Sequence, residues 1–140
     1  MIRKRSARAL AGGLVVFLLL VSATAAYAAV SGRFSGTTGQ HKSISLRVSH
    51  GFVTHLQFHV NDKCPSGHVY SIHDFNFPKI KINRFHQFDA RFVSTTSKAT
   101  VEIVGTVSRR RVKGRLSEHR VIAQEHRTCI GTTKYTVSKH

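Results

Sequence analysis

"SISLRVSHGFVTHLQFHV", residues 43–60, alternates apolar and polar side chains on both sides of a His-Gly pair. In the first half Ile44, Leu46 and Val48 occupy every second position, which is the period of a strand with one buried face. The pair His50-Gly51 has the composition of a tight turn. The second half is assigned an inner face of Phe52, Leu56, Phe58 and Val60 and an outer face of Val53, His55, Gln57 and His59. The stretch therefore predicts a β-hairpin with one dry side and one wet side.

Similar alternation continues to the end of the chain. Further strand-like segments are 68–77, 79–85, 85–93, 100–108, 112–121 and 132–138. Turn residues separate them, and no amphipathic helix follows the N-terminal segment. We therefore predict an all-β fold, a single antiparallel meander of about eight or nine short strands. The alternation allows a barrel and a two-sheet sandwich equally.

The N-terminus has the three parts of a secretory signal peptide. Basic residues lie at positions 3, 4, 5 and 8, residues 9–21 are apolar, and Ala26-Tyr27-Ala28 fits the cleavage rule. We expect residues 1–28 to be a signal peptide, helical in its apolar part, and residues 29–140 to be one secreted, extracellular β domain. The alternative is an uncleaved membrane anchor, because residues 9–29 have about the length of a membrane span.

The chain has two cysteines, Cys64 and Cys129. Two cysteines of an exported chain usually pair, and closing a loop of this length is worth about 4 kcal/mol. A histidine lies near each cysteine, in Cys64-x3-His68 and His126-x2-Cys129, so a zinc site is an alternative. Two unrelated free thiols are another. The expected compartment favours the disulfide.

Several motifs together resemble a known group of proteins. They are "GRFSGTTGQHKSISLRVS" (32–49), C-x-x-G (64–67), "VEIVGTVSRRRVKGRL" (101–116) and C-x-G-T-x-K-Y-T (129–136). The chain resembles small secreted two-cysteine β-domain proteins of actinobacteria, which have no assigned activity. The resemblance implies pairing of Cys64 with Cys129, and turn or close-packing roles for Gly36, Gly105, Gly114 and Gly131. It brings no catalytic residue.

The sequence offers little material for catalysis. Its six acidic residues are Asp62, Asp74, Asp89, Glu102, Glu118 and Glu125. No spacing places two of them together, so each is interpreted as a solvated or salt-bridged surface group. There is no nucleophile elbow, phosphate loop or zinc-protease motif. His55 and His59 share a predicted face but lie about 13 Å apart along a strand, too far to bind one ion. We predict a protein that is not an enzyme, with no cofactor and no metal.

The charge of the chain gives the main functional indication. It carries 22 Lys and Arg against 6 Asp and Glu, a net charge of +16. The run "RRRVKGRLSEHR" (109–120) predicts an anion-binding surface of Arg109, Arg110, Arg111, Lys113, Arg115 and Arg120. Expected partners are an anionic cell-wall polymer, lipid head groups or another extracellular polyanion. Sequence-specific nucleic-acid binding is not expected, because no recognition helix or stacking motif is present.

Three other interpretations of the sequence remain open. The positive charge could serve solubility alone. A β-barrel could bind a small apolar ligand in a cavity lined by Phe residues. A small extracellular hydrolase is the interpretation that the composition favours least.

Overall fold

The structure is a computed structural model that describes residues 30–140; the expected signal-peptide helix and its cleavage site lie outside them. The described residues form an all-β fold, which confirms the predicted class. Residues 30–140 contain nine strands: β1 (Gly32–Thr38), β2 (Ser43–Ser49), β3 (Phe52–Lys63), β4 (Val69–Asp74), β5 (Ile80–Lys81), β6 (Gln87–Ser94), β7 (Ala99–Val107), β8 (Arg111–Ile122) and β9 (Arg127–Lys139). Over residues 30–140 there is no helix long and apolar enough to cross a membrane.

The strands form one antiparallel sheet in the order β4-β3-β2-β1-β9-β8-β7-β6, with β5 paired to β3. The sheet curls, because the end of β3 also pairs with β9 at Lys63 and Ile130. At the other end of the sheet, the start of β6 lies against the segment that follows β5. There the Asn83 N–H donates to the Gln87 carbonyl at 2.8 Å. The two ends of the sheet therefore lie close to each other.

The β2–β3 hairpin is confirmed, but the predicted faces of β3 are wrong at its start. Val53 is fully buried and Phe52 is only partly buried, the reverse of the assignment. The register shifts from Ser45 opposite Gln57 to Arg47 opposite Thr54, so β3 has an extra residue at this point. Such a bulge reverses the alternation on its two sides, and His55 adopts a positive φ of 50° within it.

Strand β1 is absent from the segments that the alternation predicted. Its inward positions are Phe34, Gly36 and Thr38, so only one of the three is apolar. A Cβ on Gly36 would lie 2.6 Å from the Thr136 carbonyl oxygen of β9. Glycine is required here because the backbones of β1 and β9 approach closely. Since it takes an inward position where an apolar side chain is expected, β1 does not show the alternation of a half-buried strand.

One apolar cluster fills the concave side of the sheet, and its largest members are Phe34, Phe58, Ile44, Ile103 and Leu116. Tyr135 is also buried there and donates its hydroxyl to the Val104 carbonyl at 3.0 Å. Its ring lies over Gly105 and Gly114, which face each other on β7 and β8. A Cβ on Gly105 or Gly114 would lie 2.6 Å from the Tyr135 hydroxyl. The close-packing roles expected for these two glycines follow from this contact.

The disulfide prediction is confirmed. Cys64 and Cys129 are joined, with their Cα atoms 4.2 Å apart and both side chains buried. Both sulfurs are engaged in the bridge, so neither can act as a thiolate ligand in the alternative zinc site. Of the two histidines near them, His68 instead contacts Glu125 through Nδ1 at 2.7 Å. The bridge ties the end of β3 to β9 beside the single Lys63–Ile130 ladder pair.

Candidate functional site

The outer face of β8 and β9 gathers three of the exposed cations. Lys113 and Arg115 lie on alternate positions of β8, and Arg115 is directly opposite Lys134 of β9. All three side chains are exposed. Cα atoms of opposite residues are about 5 Å apart, so two positive charges are held side by side. This row, with the turn residues Arg109–Arg111, is called the basic face below.

The β7–β8 turn meets the last residues of β9. The Lys139 N–H donates to the Arg110 carbonyl at 2.9 Å, and the His140 N–H donates to the Arg33 carbonyl at 3.1 Å. A shallow recess of about 520 Å³ lies between the turn and this end of β9. Lys139 and Arg33 thus extend the basic face, although neither belongs to the basic run 109–120.

Arg120, the last member of the predicted anion-binding set, lies apart from the basic face. Its side chain is 15% exposed and contacts two carboxyl groups. Nη2 donates to the Asp74 oxygens at 2.7 and 2.9 Å, and Nε donates to Glu118 Oε1 at 2.6 Å. Its donors are engaged by this chain's own acids. The predicted set is therefore divided between two places.

Two carboxyl groups of this second place are fully buried, which corrects their interpretation as surface groups. Asp62 and Glu118 are both 0% exposed. Among residues 30–140 no hydrogen-bond partner is found for either oxygen of Asp62 or for Glu118 Oε2. With Asp74 and Arg120 they form a group that we call the carboxyl cluster. It lies next to the disulfide, since Arg120 is opposite Cys129 in the sheet.

Burial changes the protonation of the cluster. It is the largest of the effects that together raise the pKa of Glu118 to about 9; the neighbouring Asp74 carboxyl also raises it, and the contact with Arg120 lowers it by less. Burial also raises the pKa of Asp62 to about 7, against the opposing charge of Arg120. Glu118 is therefore protonated at neutral pH, and its O–H can be donated to the Asp74 carboxylate.

Asp62 is accommodated by a glycine. Gly131 of β9 lies opposite Glu118, and a Cβ there would collide with Asp62 Oδ1 and lie 2.8 Å from the Asn61 carbonyl oxygen. The close-packing role expected for Gly131 thus has a specific cause. The sequence contained an indication of both buried acids, because Asp62 continues the inward positions of Phe58 and Val60, and Glu118 follows Leu116.

The histidines do not gather around an ion site in the described part of the chain. His59 stacks on His73 of β4, with ring centroids 4.0 Å apart, and accepts or donates a 2.8 Å hydrogen bond with Ser43. Burial, then the charges of His73 and Lys42, lower the pKa of His59. No group of three or more His, Cys, Asp or Glu residues within 30–140 is arranged to hold a metal.

A cleft of about 440 Å³ lies between the segment after β4 and the end of β6. Phe77 and Phe92 pack against each other there, with ring centroids 5.0 Å apart. Asp74 and Arg120 line the same cleft. The carboxyl cluster therefore reaches the surface at this point, through its two partly exposed members.

Comparison with protein-family models, curated protein sequences and solved structures finds no match to this chain. The resemblance to secreted actinobacterial β domains stays a prediction.

Proposed function

We propose that this protein is a secreted, non-enzymatic, cationic β domain that associates with anionic polymers or lipid head groups outside the cell through its basic face. The observation that supports this most is the placement of Arg115 opposite Lys134. Like charges directly opposite each other destabilise an antiparallel pair. Solubility alone requires net charge and not adjacent cations, whereas a bridging anion relieves the repulsion.

The surroundings of the basic face favour an anion. The outer-face acids near Arg115 are Glu102, which contacts Arg91 instead, and Asp89, which lies in the same row of the sheet beyond Val104. Two strand spacings place that acid about 10 Å away. The shared chemistry of the expected partners is phosphate or carboxylate, and affinity should depend steeply on salt. The disulfide and the predicted signal peptide both support an oxidising location.

Salt-gradient elution from immobilised polyphosphate tests the proposal, with vesicles containing phosphatidylglycerol as the lipid arm. The test variant replaces three residues of the basic face by Ser: Lys113, Arg115 and Lys134. The control variant loses the same charge elsewhere, at Lys79, Lys81 and Arg84. The slope of log affinity against log salt should fall by roughly one for each phosphate that the test variant no longer neutralises. Equal effects of the two variants would show that only net charge matters.

The turn provides a second, independent test. Replacing Arg109, Arg110 and Arg111 together by Ser should also lower the salt needed for elution. Retention that does not change in this variant would remove the turn from the site. Circular dichroism of each variant checks that the fold persists.

The apolar-ligand alternative has its own supporting observation, the cleft beside Phe77 and Phe92. Side chains fill the concave side of the sheet, so a ligand would have to enter this cleft. We propose in addition that the curled sheet is a barrel left open beside β6, and not a sandwich, supported by the approach of its two ends. A fluorescent fatty acid that binds the protein, and does not bind after Phe92→Arg, would favour this function.

A further inference from the structure

Strand β6 is an edge of the sheet. It pairs with β7 along its whole length, from Gln87 to Ser94, without a bulge. Among the described residues no strand pairs with its other side. Proteins usually protect such an edge with proline, a bulge, charged side chains or a covering loop; β6 carries Asp89 and Arg91 but has no proline, bulge or lysine.

The hydrogen bonds of Gln87 show which backbone groups face the open side. Its N–H donates to Asn83 Oδ1 at 2.9 Å and its carbonyl accepts from the Asn83 N–H at 2.8 Å. The preceding residue, His86, instead accepts from Val107 of β7. By the alternation of an antiparallel strand, the N–H and C=O groups of Asp89, Arg91 and Val93 also point to the open side.

The open edge is accessible and partly apolar. Val93 on β6 is 67% exposed, Phe85 just before β6 is 62% exposed, and Phe75 across the cleft is 56% exposed. The cleft of about 440 Å³ separates residues 91–94 from the segment 74–78, so solvent reaches this part of the edge, and Asp89 and Arg91 are both exposed. Exposed apolar residues grouped around a free edge are typical of an interaction surface.

The side chains of β6 complement a second copy of the same strand. In an antiparallel pair of two copies, a residue whose backbone N–H and C=O point to the open side must lie opposite a residue of the same kind. Asp89, Arg91 and Val93 of one copy can therefore lie opposite only these same residues of the other copy. A two-fold axis at Asp89 would place Asp89 against Asp89, and one at Arg91 would place Arg91 against Arg91. An axis at Ala90 places each Asp89 opposite Arg91 of the second copy, and Phe88 opposite Phe92. Only this register pairs opposite charges, twice.

We propose that the protein forms a symmetric dimer by antiparallel pairing of β6 with β6 of a second copy, centred on Ala90. Four backbone hydrogen bonds link Asp89 and Arg91 of the two copies in this arrangement. Arg91 already contacts Glu102 of its own chain at 3.3 Å, so it then lies between two carboxylates. Asn83 ends the pairing on each side, because it occupies both backbone groups of Gln87. The outer faces of the two copies become continuous, which brings two basic faces onto one surface.

Single cysteines report the register directly. The native cysteines are already paired, so an introduced thiol is free to react only with its counterpart. At the proposed axis, Ala90 of one copy is a non-hydrogen-bonded neighbour of Ala90 of the other, about 4.5 Å away between Cα atoms, within reach of a disulfide. Asp89 and its counterpart are about 8 Å apart, beyond that reach.

The experiment compares Ala90→Cys, Asp89→Cys and Arg91→Cys under mild oxidation at about 0.15 M ionic strength, where net repulsion is screened. Non-reducing gels should show a covalent dimer for Ala90→Cys at about tenfold the yield of the other two. A higher yield for Asp89→Cys or Arg91→Cys would overturn the register. Absence of any dimer in all three, with wild-type protein monomeric by sedimentation equilibrium, would overturn the dimer.

A charge exchange tests the same contact without cysteine. The Arg91→Glu variant should be monomeric in sedimentation equilibrium under conditions where wild type is a dimer. The reason is that Asp89 of one copy would then lie opposite an acidic side chain of the other. The exchanged variant, Asp89→Arg with Arg91→Asp, should restore the dimer when Glu102→Gln is added, so that position 91 does not face an acid of its own chain. Failure of the exchange to restore it, in a variant that keeps its circular dichroism spectrum, would overturn the contact between Asp89 and Arg91 and with it the proposed register.

Discussion

Replacing Glu118 by Gln should change how the stability of this protein depends on pH. Glu118 is fully buried and its pKa is raised to about 9, whereas the unfolded chain releases this proton near the ordinary value of 4.5. Between these two pH values the folded state holds a proton that the unfolded state lacks. The contribution of Glu118 to the free energy of unfolding is therefore highest in acid and falls as pH rises, the opposite of a carboxylate in an ion pair.

The size of the effect follows from the linkage relation. One proton held only by the folded state lowers the free energy of unfolding by about 1.4 kcal/mol for each pH unit. From pH 5 to pH 8 Glu118 alone should account for about 4 kcal/mol. Asp62 adds a decline of the same sign up to its own pKa of about 7. Together they are large compared with the usual stability of a small domain.

The Gln variant isolates the share of Glu118. Its amide oxygen can still accept from Arg120, and its NH2 group takes the place of the protonated oxygen. Urea unfolding at pH 5 should find the variant within about 1 kcal/mol of wild type, and at pH 8 it should be the more stable protein by several kcal/mol. Glu102→Gln is the matched control, because it makes the same change of side chain at an exposed position outside the carboxyl cluster. A constant difference between Glu118→Gln and wild type from pH 5 to pH 8 would refute the protonation assigned here.

Two further changes test the packing. Replacing Cys64 and Cys129 together by Ala should lower the free energy of unfolding by about 4 kcal/mol, because the unfolded chain is no longer closed into a loop; urea unfolding should give the same midpoint for this variant and for reduced wild type. Tyr135→Phe should lower it by about 1–3 kcal/mol, because the Val104 carbonyl loses its donor in a buried setting. A Phe variant with unchanged stability would show that water satisfies that carbonyl.

The sequence predicted what depends on regular alternation. The hairpin around His50-Gly51, the inward positions of β6 and β7 and the disulfide were all accessible from pattern and cysteine count. Strand β1 was missed because Gly36 replaces an apolar residue where two backbones approach. The faces at the start of β3 were wrong because a bulge at His55 reverses the alternation, and a bulge has no fixed sequence mark.

The candidate sites also contain residues that the sequence pattern predicts and residues that only the strand register brings together. Lys113 and Arg115 were predicted from the basic run, but Lys134 joined them only through the register of β8 with β9. The buried acids were interpreted as surface groups, since acids are rarely buried. Asp62 and Glu118 depart from that rule because Gly131, far away in the sequence, leaves space for Asp62, and because burial favours the protonated, uncharged form of both acids. The position of Gly131 and the burial of the two acids become evident only when the strands are aligned.

The bridge between Cys64 and Cys129 also decides how the molecule responds to a mechanical load. The first and last strands lie side by side, with Phe34 opposite Lys139, so a pull on residues 30 and 140 unzips β1 from β9. Residues 64–129 form a covalent ring that the pull cannot lengthen. Only the described residues outside the ring can extend, to about 150 Å at roughly 3.4 Å per residue, whereas the same chain without the bridge would reach about 370 Å. Strands β4–β8 would remain inside the ring, shielded from tension until the covalent bond itself breaks.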